Sequence, residues 1–255
     1  YHNVNVCFKE VCMGKLFFDF NDDDFDMIQL SGSWARERHF VRQPLRSGSQ
    51  SIESRRGSSS HAQNPFMALA RKDTTETKGD IYGFSFVYSG NFLANVEVDM
   101  FYNSRVQIGI NPFDFSWLLK ENEEFQSPEA VLVYSPNGVT GMSHIYHNLY
   151  GKRLARGEHR DKIRPILINN WEATYFDFNE TSIKNIAKEA SNLGMELFVL
   201  DDGWFGKRNN DDCSLGDWFV NEDKIKGGLG KLSKEIKSLI ISYKGDTDKT
   251  KKIKK

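Results

Sequence analysis

The chain has 255 residues, 39% of them hydrophobic and 27% charged, which is globular rather than disordered composition. A formal net charge of -1 gives no global electrostatic case for nucleic acid. No run approaches the ~20 apolar residues needed to cross a bilayer, and Cys7, Cys12 and Cys213 form neither a CxxC pair nor an even-numbered disulfide framework.

The start has no initiator Met, and no charged segment there leads into an apolar run. No signal peptide is legible, so the expectation is a cytoplasmic protein whose beginning is missing. Val4 to Phe8 and Lys15 to Phe20 read as strands around an acidic stretch at 21–24. Residues 43–63 are dominated by Ser, Arg and Gly, with Leu45 and Ile52 the only large apolar residues, and predict a long irregular loop.

The clearest β pattern follows. Phe84, Phe86 and Tyr88 alternate with smaller neighbours, and Ser89-Gly90-Asn91 signals a turn. Val96, Val98 and Met100 then alternate with polar residues, as do Val106, Ile108 and Ile110 after a turn at 102–104. Period two with one apolar face predicts antiparallel sheets covered on one side. Residues 131–134 add another strand.

Past residue 140 the pattern changes. Met142, Ile145, Tyr146, Leu149 and Leu154 predict a linking helix. Residues 163–169 read as an apolar strand. Ile183, Ile186, Ala187, Ala190 and Leu193 form one helix face, with Asn179 as N-cap and Gly194 as stop, and residues 195–200 read as a second buried strand. Strand, amphipathic helix, strand is a βαβ unit with a right-handed crossover. Leu229, Leu232, Ile236 and Leu239 mark another helix; a third strand is expected after it, but residues 242–255 read as a basic, disordered tail.

Two clusters carry chemistry. Asp201-Asp202-Gly203-Trp204-Phe205-Gly206 follows the second parallel strand, at the end where barrel enzymes place their sites. Two adjacent carboxylates can bind metal, take part in acid/base work or accept hydrogen bonds from vicinal hydroxyls. Gly203 and Gly206 would let backbone approach a ligand closely. Asn169-Asn170-Trp171-Glu172-Ala173-Thr174-Tyr175-Phe176 follows the first strand and emerges at the same mouth. There an indole offers a flat apolar face to a sugar ring while amides and carboxylates read the hydroxyls. The competing readings are a solvated loop carboxylate and ordinary partial burial of a Trp. His144 and His147 lie three apart on the linking helix, but nothing completes a metal set. The lysines of the tail have no interleaved aromatics and read as solvated.

Leu30-Ser-Gly-Ser-Trp34-Ala-Arg-Glu37, Glu53-Ser-Arg-Arg-Gly57, Gly109-Ile-Asn-Pro-Phe-Asp-Phe-Ser-Trp117, Asn170-Trp-Glu-Ala-Thr-Tyr-Phe176 and Leu200-Asp-Asp-Gly-Trp-Phe-Gly206 resemble bacterial α-galactosidases of glycoside hydrolase family 36. The motifs stand in the family's order over residues 25–239. The resemblance implies a multidomain β plus α/β fold: an N-terminal β-supersandwich over 1–140, a linker helix over 141–162, and the first βαβα units of an incomplete (β/α)8 barrel over 163–241. It implies retaining hydrolysis of terminal α-galactosides of the melibiose and raffinose class, with no metal and no cofactor. It places Asp201, Asp202 and Trp171 as substrate-binding residues, and Trp34 as a residue reaching a neighbouring subunit's site in a homo-tetramer. The family's nucleophile and acid/base find no counterpart in this sequence. The chain is therefore expected to be cut at both ends and inactive alone. A non-catalytic sugar-binding or assembly module, a transglycosylase and an α-N-acetylgalactosaminidase remain alternatives.

Overall fold

A computed structural model describes residues 6–8 and 16–250. The chain divides into two units, Tyr1–Arg156 and Gly157–Lys255.

The first unit is built from antiparallel strands. β1 (Val6–Phe8) pairs with β10 (Trp117–Leu119). β2 (Leu16–Phe20), β5 (Gly48–Glu53), β8 (Phe92–Val98) and β9 (Ser104–Ile110) form a four-stranded sheet in the order β2-β9-β8-β5. β3 (Phe25–Ser33), β4 (Arg36–Pro44), β6 (Gln63–Arg71), β7 (Ile81–Val87) and β11 (Glu129–Ser135) form a five-stranded sheet in the order β11-β7-β6-β3-β4.

The alternation in the sequence decides which face goes where. Phe25, Met27, Met67, Leu69, Phe84 and Phe86 point from the five-stranded sheet to a core shared with Phe92, Val96, Val106 and Ile108 of the other sheet. Each such side chain contributes roughly 1.5–3 kcal/mol by full burial. The intervening Ala68, Ala70 and Ile81 face the opposite way, onto Met142 and Tyr146 of α1 (Gly138–Leu149). This helix was expected as a link between domains; it packs on the sheet of the first unit. A β-carbon on Gly83 would lie 2.7 Å from the Tyr146 ring, so only glycine lets the helix seat this closely. A π-helical turn at Tyr150–Leu154 follows, and its Tyr150 hydroxyl donates to Ser85 at 2.7 Å.

The second unit contains β12 (Leu167–Asn169), α2 (Trp171–Thr174), α3 (Glu180–Asn192), β13 (Leu197–Val199) and α4 (Gly228–Thr250). β12 and β13 pair in parallel with α3 between them in the chain, a βαβ unit. Asn179 caps α3: its side chain accepts from the amides of Thr181 and Ser182, and the Ser182 hydroxyl accepts from the Asn179 amide. Gly194 follows at φ 86°. Ile183, Ala187, Leu232 and Ile236 bury one shared core with Phe178 and Ile225. No helix among the described residues is long and apolar enough to cross a membrane.

Several expectations are corrected. Residues 43–63 are not one irregular loop: they hold the end of β4, all of β5 and the start of β6. β5 lies at the edge of its sheet and buries only Ile52, so it needs no apolar alternation. Met100 is 84% exposed because the chain leaves β8 at Val98 and turns on Asp99, whose carboxylate accepts from the amides of Phe101 and Asn103. Leu193 is 78% exposed at the C-cap of α3, where the helix ends before its face returns to the core. The strand expected over 163–169 is paired only from Leu167, and Ile163 is exposed. Residues 242–250, expected as a disordered tail, continue α4, since adding turns to a packed helix costs little and no proline interrupts it. Residues 251–255 lie outside the described residues, as do Val4, Asn5 and Lys15 of the two predicted N-terminal strands.

Candidate functional site

The parallel pairing sets the site. Asn169 stands opposite Val199, so the segments leaving β12 and β13 emerge at one edge. Asn170, fully buried, locks them together. Its Oδ1 accepts from the amide of Asp201 at 2.8 Å, and its Nδ2 donates to the Thr174 hydroxyl at 2.9 Å. Asn169 makes a second link. Its Nδ2 donates to Asp201 Oδ2 at 2.5 Å, while its Oδ1 accepts from the amide of Trp171 at 2.7 Å. One amide side chain therefore bridges the backbone of Trp171 and the carboxylate of Asp201.

Trp171 opens α2 and is half-buried. Its ring meets Tyr175 and Phe176 edge-on, at centroid distances of 5.3 and 4.9 Å. Tyr175 sits at φ 46° and ψ -129°, a conformation that costs a non-glycine residue about 1–3 kcal/mol and that concentrates at functional sites.

The two acids differ. Asp201 Oδ1 accepts from the amide of Asp202 at 2.7 Å. Asp202 Oδ1 accepts from the amide of Gly203 at 2.7 Å and from Arg208 Nε at 2.6 Å. The Arg208 hydrogen bond, only partly opposed by burial, holds the Asp202 carboxyl below the ordinary aspartate value. Asp202 is therefore a carboxylate and an acceptor, unsuited to donating a proton. Its Oδ2 carries no hydrogen bond among the described residues.

Gly203 has a different role from the one expected. At φ 87° it needs no side chain, but the atoms a β-carbon would crowd are the rings of Phe176 and Phe178, at 3.1 and 3.3 Å. Gly206, at φ 53°, is likewise hemmed in by Asp217 and Ser214.

Trp171, Asp201 and Asp202 thus share one edge of the second unit. Trp34 belongs to the first unit, at the two-residue tip between β3 and β4, and is 86% exposed. Asn169, Asn170, Thr174, Arg208 and Lys224 escaped sequence reasoning as individual site residues. The paired asparagines directly after a strand were the one available signal. Nothing in the local pattern marks Arg208 or Lys224.

Residues 12–120 match the sequence profile of the glycosyl hydrolase family 36 N-terminal domain, and residues 124–244 match that of melibiase. The chain is 60% identical to alpha-galactosidase AgaA of Geobacillus stearothermophilus over 88% of its own length and 31% of that relative. It is 50% identical to alpha-galactosidase Mel36A of Lactobacillus acidophilus over 87% of its length and 30% of that relative. The chain thus spans about a third of the length of the curated relatives it matches. Among solved structures, a variant of AgaA in complex with 1-deoxygalactonojirimycin superposes with a TM-score of 0.84, covering 88% of this chain and 31% of that one at 60% identity. A second AgaA variant, in complex with raffinose, has a TM-score of 0.83 at the same identity and coverage. With both of the family's domain profiles matched in order and the fold shared, this chain belongs to glycoside hydrolase family 36.

Proposed function

We propose that this polypeptide serves a retaining α-galactosidase acting on terminal α-galactosides of the melibiose and raffinose class, and that it contributes part of the galactose-holding site. The observation that carries the reading is the Asn169 bridge, which ties the backbone of Trp171 to the carboxylate of Asp201 at the ends of two parallel strands. An apolar face beside hydroxyl acceptors is the arrangement a hexose requires. Identity of 60% to a relative solved with raffinose supports the substrate class.

In this reading Trp171 lies against the sugar's C–H face, and Asp201 and Asp202 accept from vicinal hydroxyls. The ion pair to Arg208 occupies one oxygen of Asp202 and leaves Oδ2 for the ligand. Binding, not bond cleavage, is the role of these acids. A retaining glycosidase needs two carboxyl groups about 5 Å apart, flanking the scissile bond. Residues adjacent in sequence lie on one side of it, and Asp202, held below the ordinary value by Arg208, is also unsuited to the acid's role. We assign no nucleophile or acid/base within these 255 residues. Trp34, exposed on its hairpin tip, is the residue through which the β domain of one subunit would reach a neighbour in a homo-tetramer. For the domains we propose a supersandwich over 1–140 and barrel units over 163–241, with the segment 141–162 between them carrying most of α1 against the first unit's sheet.

The test is calorimetric titration of the purified chain with methyl α-D-galactoside and with its glucose epimer, alongside an aryl α-galactoside turnover assay. The expected result is binding of the galactoside in preference to the glucoside, loss of that binding in Trp171→Ala, and no turnover. Equal affinity for the two epimers would refute the galactose site, and repeated turnover would refute the division of labour.

A further inference from the structure

Two cations lie behind the Asp201–Asp202 turn. Arg208, 5% exposed, donates from Nε to Asp202 and from Nη1 to the carbonyls of Cys213 at 2.7 Å and Asp211 at 3.3 Å. Its guanidinium lies over the rings of Phe176 and Phe205, 5.6 and 5.8 Å from their centroids. Lys224 donates from Nζ to three carbonyls: Phe176 at 2.8 Å, Gly203 at 3.1 Å and Arg208 at 3.3 Å. The Phe178 ring lies 5.0 Å away.

Those three carbonyls belong to two separate segments. Phe176 closes the loop that carries Trp171, while Gly203 and Arg208 bracket the turn that follows Asp202. An ammonium is the one side-chain group with three donors diverging from a single atom, and here each has an acceptor. No carboxylate lies within ion-pairing distance of Lys224 among the described residues; Asp177 and Asp202 act on it only at longer range. A partly buried charge balanced by backbone carbonyls alone is costly, and any role confined to closing a turn could be filled by a neutral donor.

Resting on the galactose reading above, we propose that Lys224 and Arg208 are positioning residues for that sugar: Lys224 ties the Trp171 loop to the Asp201–Asp202 turn, and Arg208 fixes Asp202 through one oxygen so that the other meets the ligand. A consequence follows for pH. Burial lowers the Lys224 pKa from the usual lysine value, with Asp177 and Asp202 opposing the shift. A neutral amine has two donors for three carbonyls, so the tie between the loops loosens on the alkaline side. The charged groups acting on this amine are Asp177 and Asp202. Asp202, held ionised, does not titrate there. The Tyr175 ring meets that of Trp171 edge-on, so Tyr175→Phe is the control.

The experiment titrates the full chain with methyl α-D-galactoside across neutral to alkaline pH. It follows the Trp171 indole N–H signal by NMR in the native sequence, Lys224→Arg, Lys224→Met, Arg208→Lys and Tyr175→Phe, with far-UV circular dichroism as the folding check. The native chain and Tyr175→Phe should lose affinity by about tenfold, some 1.4 kcal/mol, along an alkaline limb that Lys224→Arg lacks. Lys224→Met should bind at least about tenfold more weakly than the native chain at neutral pH and show no alkaline limb, and Arg208→Lys should weaken binding without adding a limb. If Lys224→Met does not fold, the flat profile of Lys224→Arg decides. An unchanged alkaline limb in Lys224→Arg, or native affinity in folded Lys224→Met, overturns the inference. Absence of galactoside preference in the native chain overturns the sugar reading instead, and the positioning role with it. In that case an alkaline shift of the indole signal that vanishes in Lys224→Arg still establishes the tie between the loops.

Discussion

Replacing Asn170 with alanine separates the two strand ends that carry the site. The side chain is fully buried and makes one hydrogen bond to each side: it accepts from the Asp201 amide at 2.8 Å and donates to the Thr174 hydroxyl at 2.9 Å. Alanine removes both. Thr174 keeps its bond to the Asn170 carbonyl at 3.1 Å, so its hydroxyl remains satisfied. The Asp201 amide does not, because the space left is enclosed. Losing one net hydrogen bond costs about 1 kcal/mol, and a stranded buried donor adds about 1–3 kcal/mol. The expected loss is therefore roughly 2–4 kcal/mol. In urea, with a slope near ~2 kcal/mol/M, the unfolding midpoint should fall by about 1–2 M at unchanged slope. The same change frees the backbone of Asp201 from β12, so galactoside affinity should drop by about tenfold or more. The assays are urea unfolding followed by tryptophan fluorescence and calorimetric titration. A midpoint shift below about 0.3 M, equivalent to under ~0.6 kcal/mol at that slope, together with unchanged affinity, would show that Asn170 does not couple the strands.

Two further outcomes are expected. Asp202 is held below its ordinary pKa by Arg208, so the stability from this pair is present above the usual aspartate value and is lost as pH falls through the depressed one. Urea midpoints measured down the acid range should show that loss in the native chain and not in Asp202→Asn. Equal acid limbs would refute it. Gly83→Ala sets a methyl 2.7 Å from the Tyr146 ring and 2.8 Å from Met142 Sδ, an overpacking of about 1–3 kcal/mol that exceeds the ~0.5–1 kcal/mol an alanine gains over glycine in a strand. A thermal melt should show a lowered transition, and an unchanged or raised one would mean α1 can shift off the sheet.

Period-two alternation in β8 and β9 was legible because each strand presents one face to a dry core, and burial leaves its imprint on residue type; β7 is covered on its other face by α1 and is buried on both. The α3 cap was legible because Asn179 and Ser182 act within one turn. β5 was not: an edge strand with solvent on one face asks little of its side chains, and Ser-rich sequence then looks like loop. Met100 and Leu193 continued a pattern that the backbone had already left. The acids and the indole were recognisable as chemistry, but the pattern carried no sign that Asn169 joins them or that Arg208 takes one oxygen of Asp202.

The sequence by itself determined which segments alternate or repeat, which family they belong to, and that an indole and two carboxylates follow consecutive strands, because these depend on neighbours a few residues apart. The tertiary structure alone decided the partners of those groups. Lys224 reaches the Phe176 carbonyl across 48 positions, and Asn170 reaches the Asp201 amide across 31. Such contacts are set by the path of the chain through space, which no local pattern of residue types records.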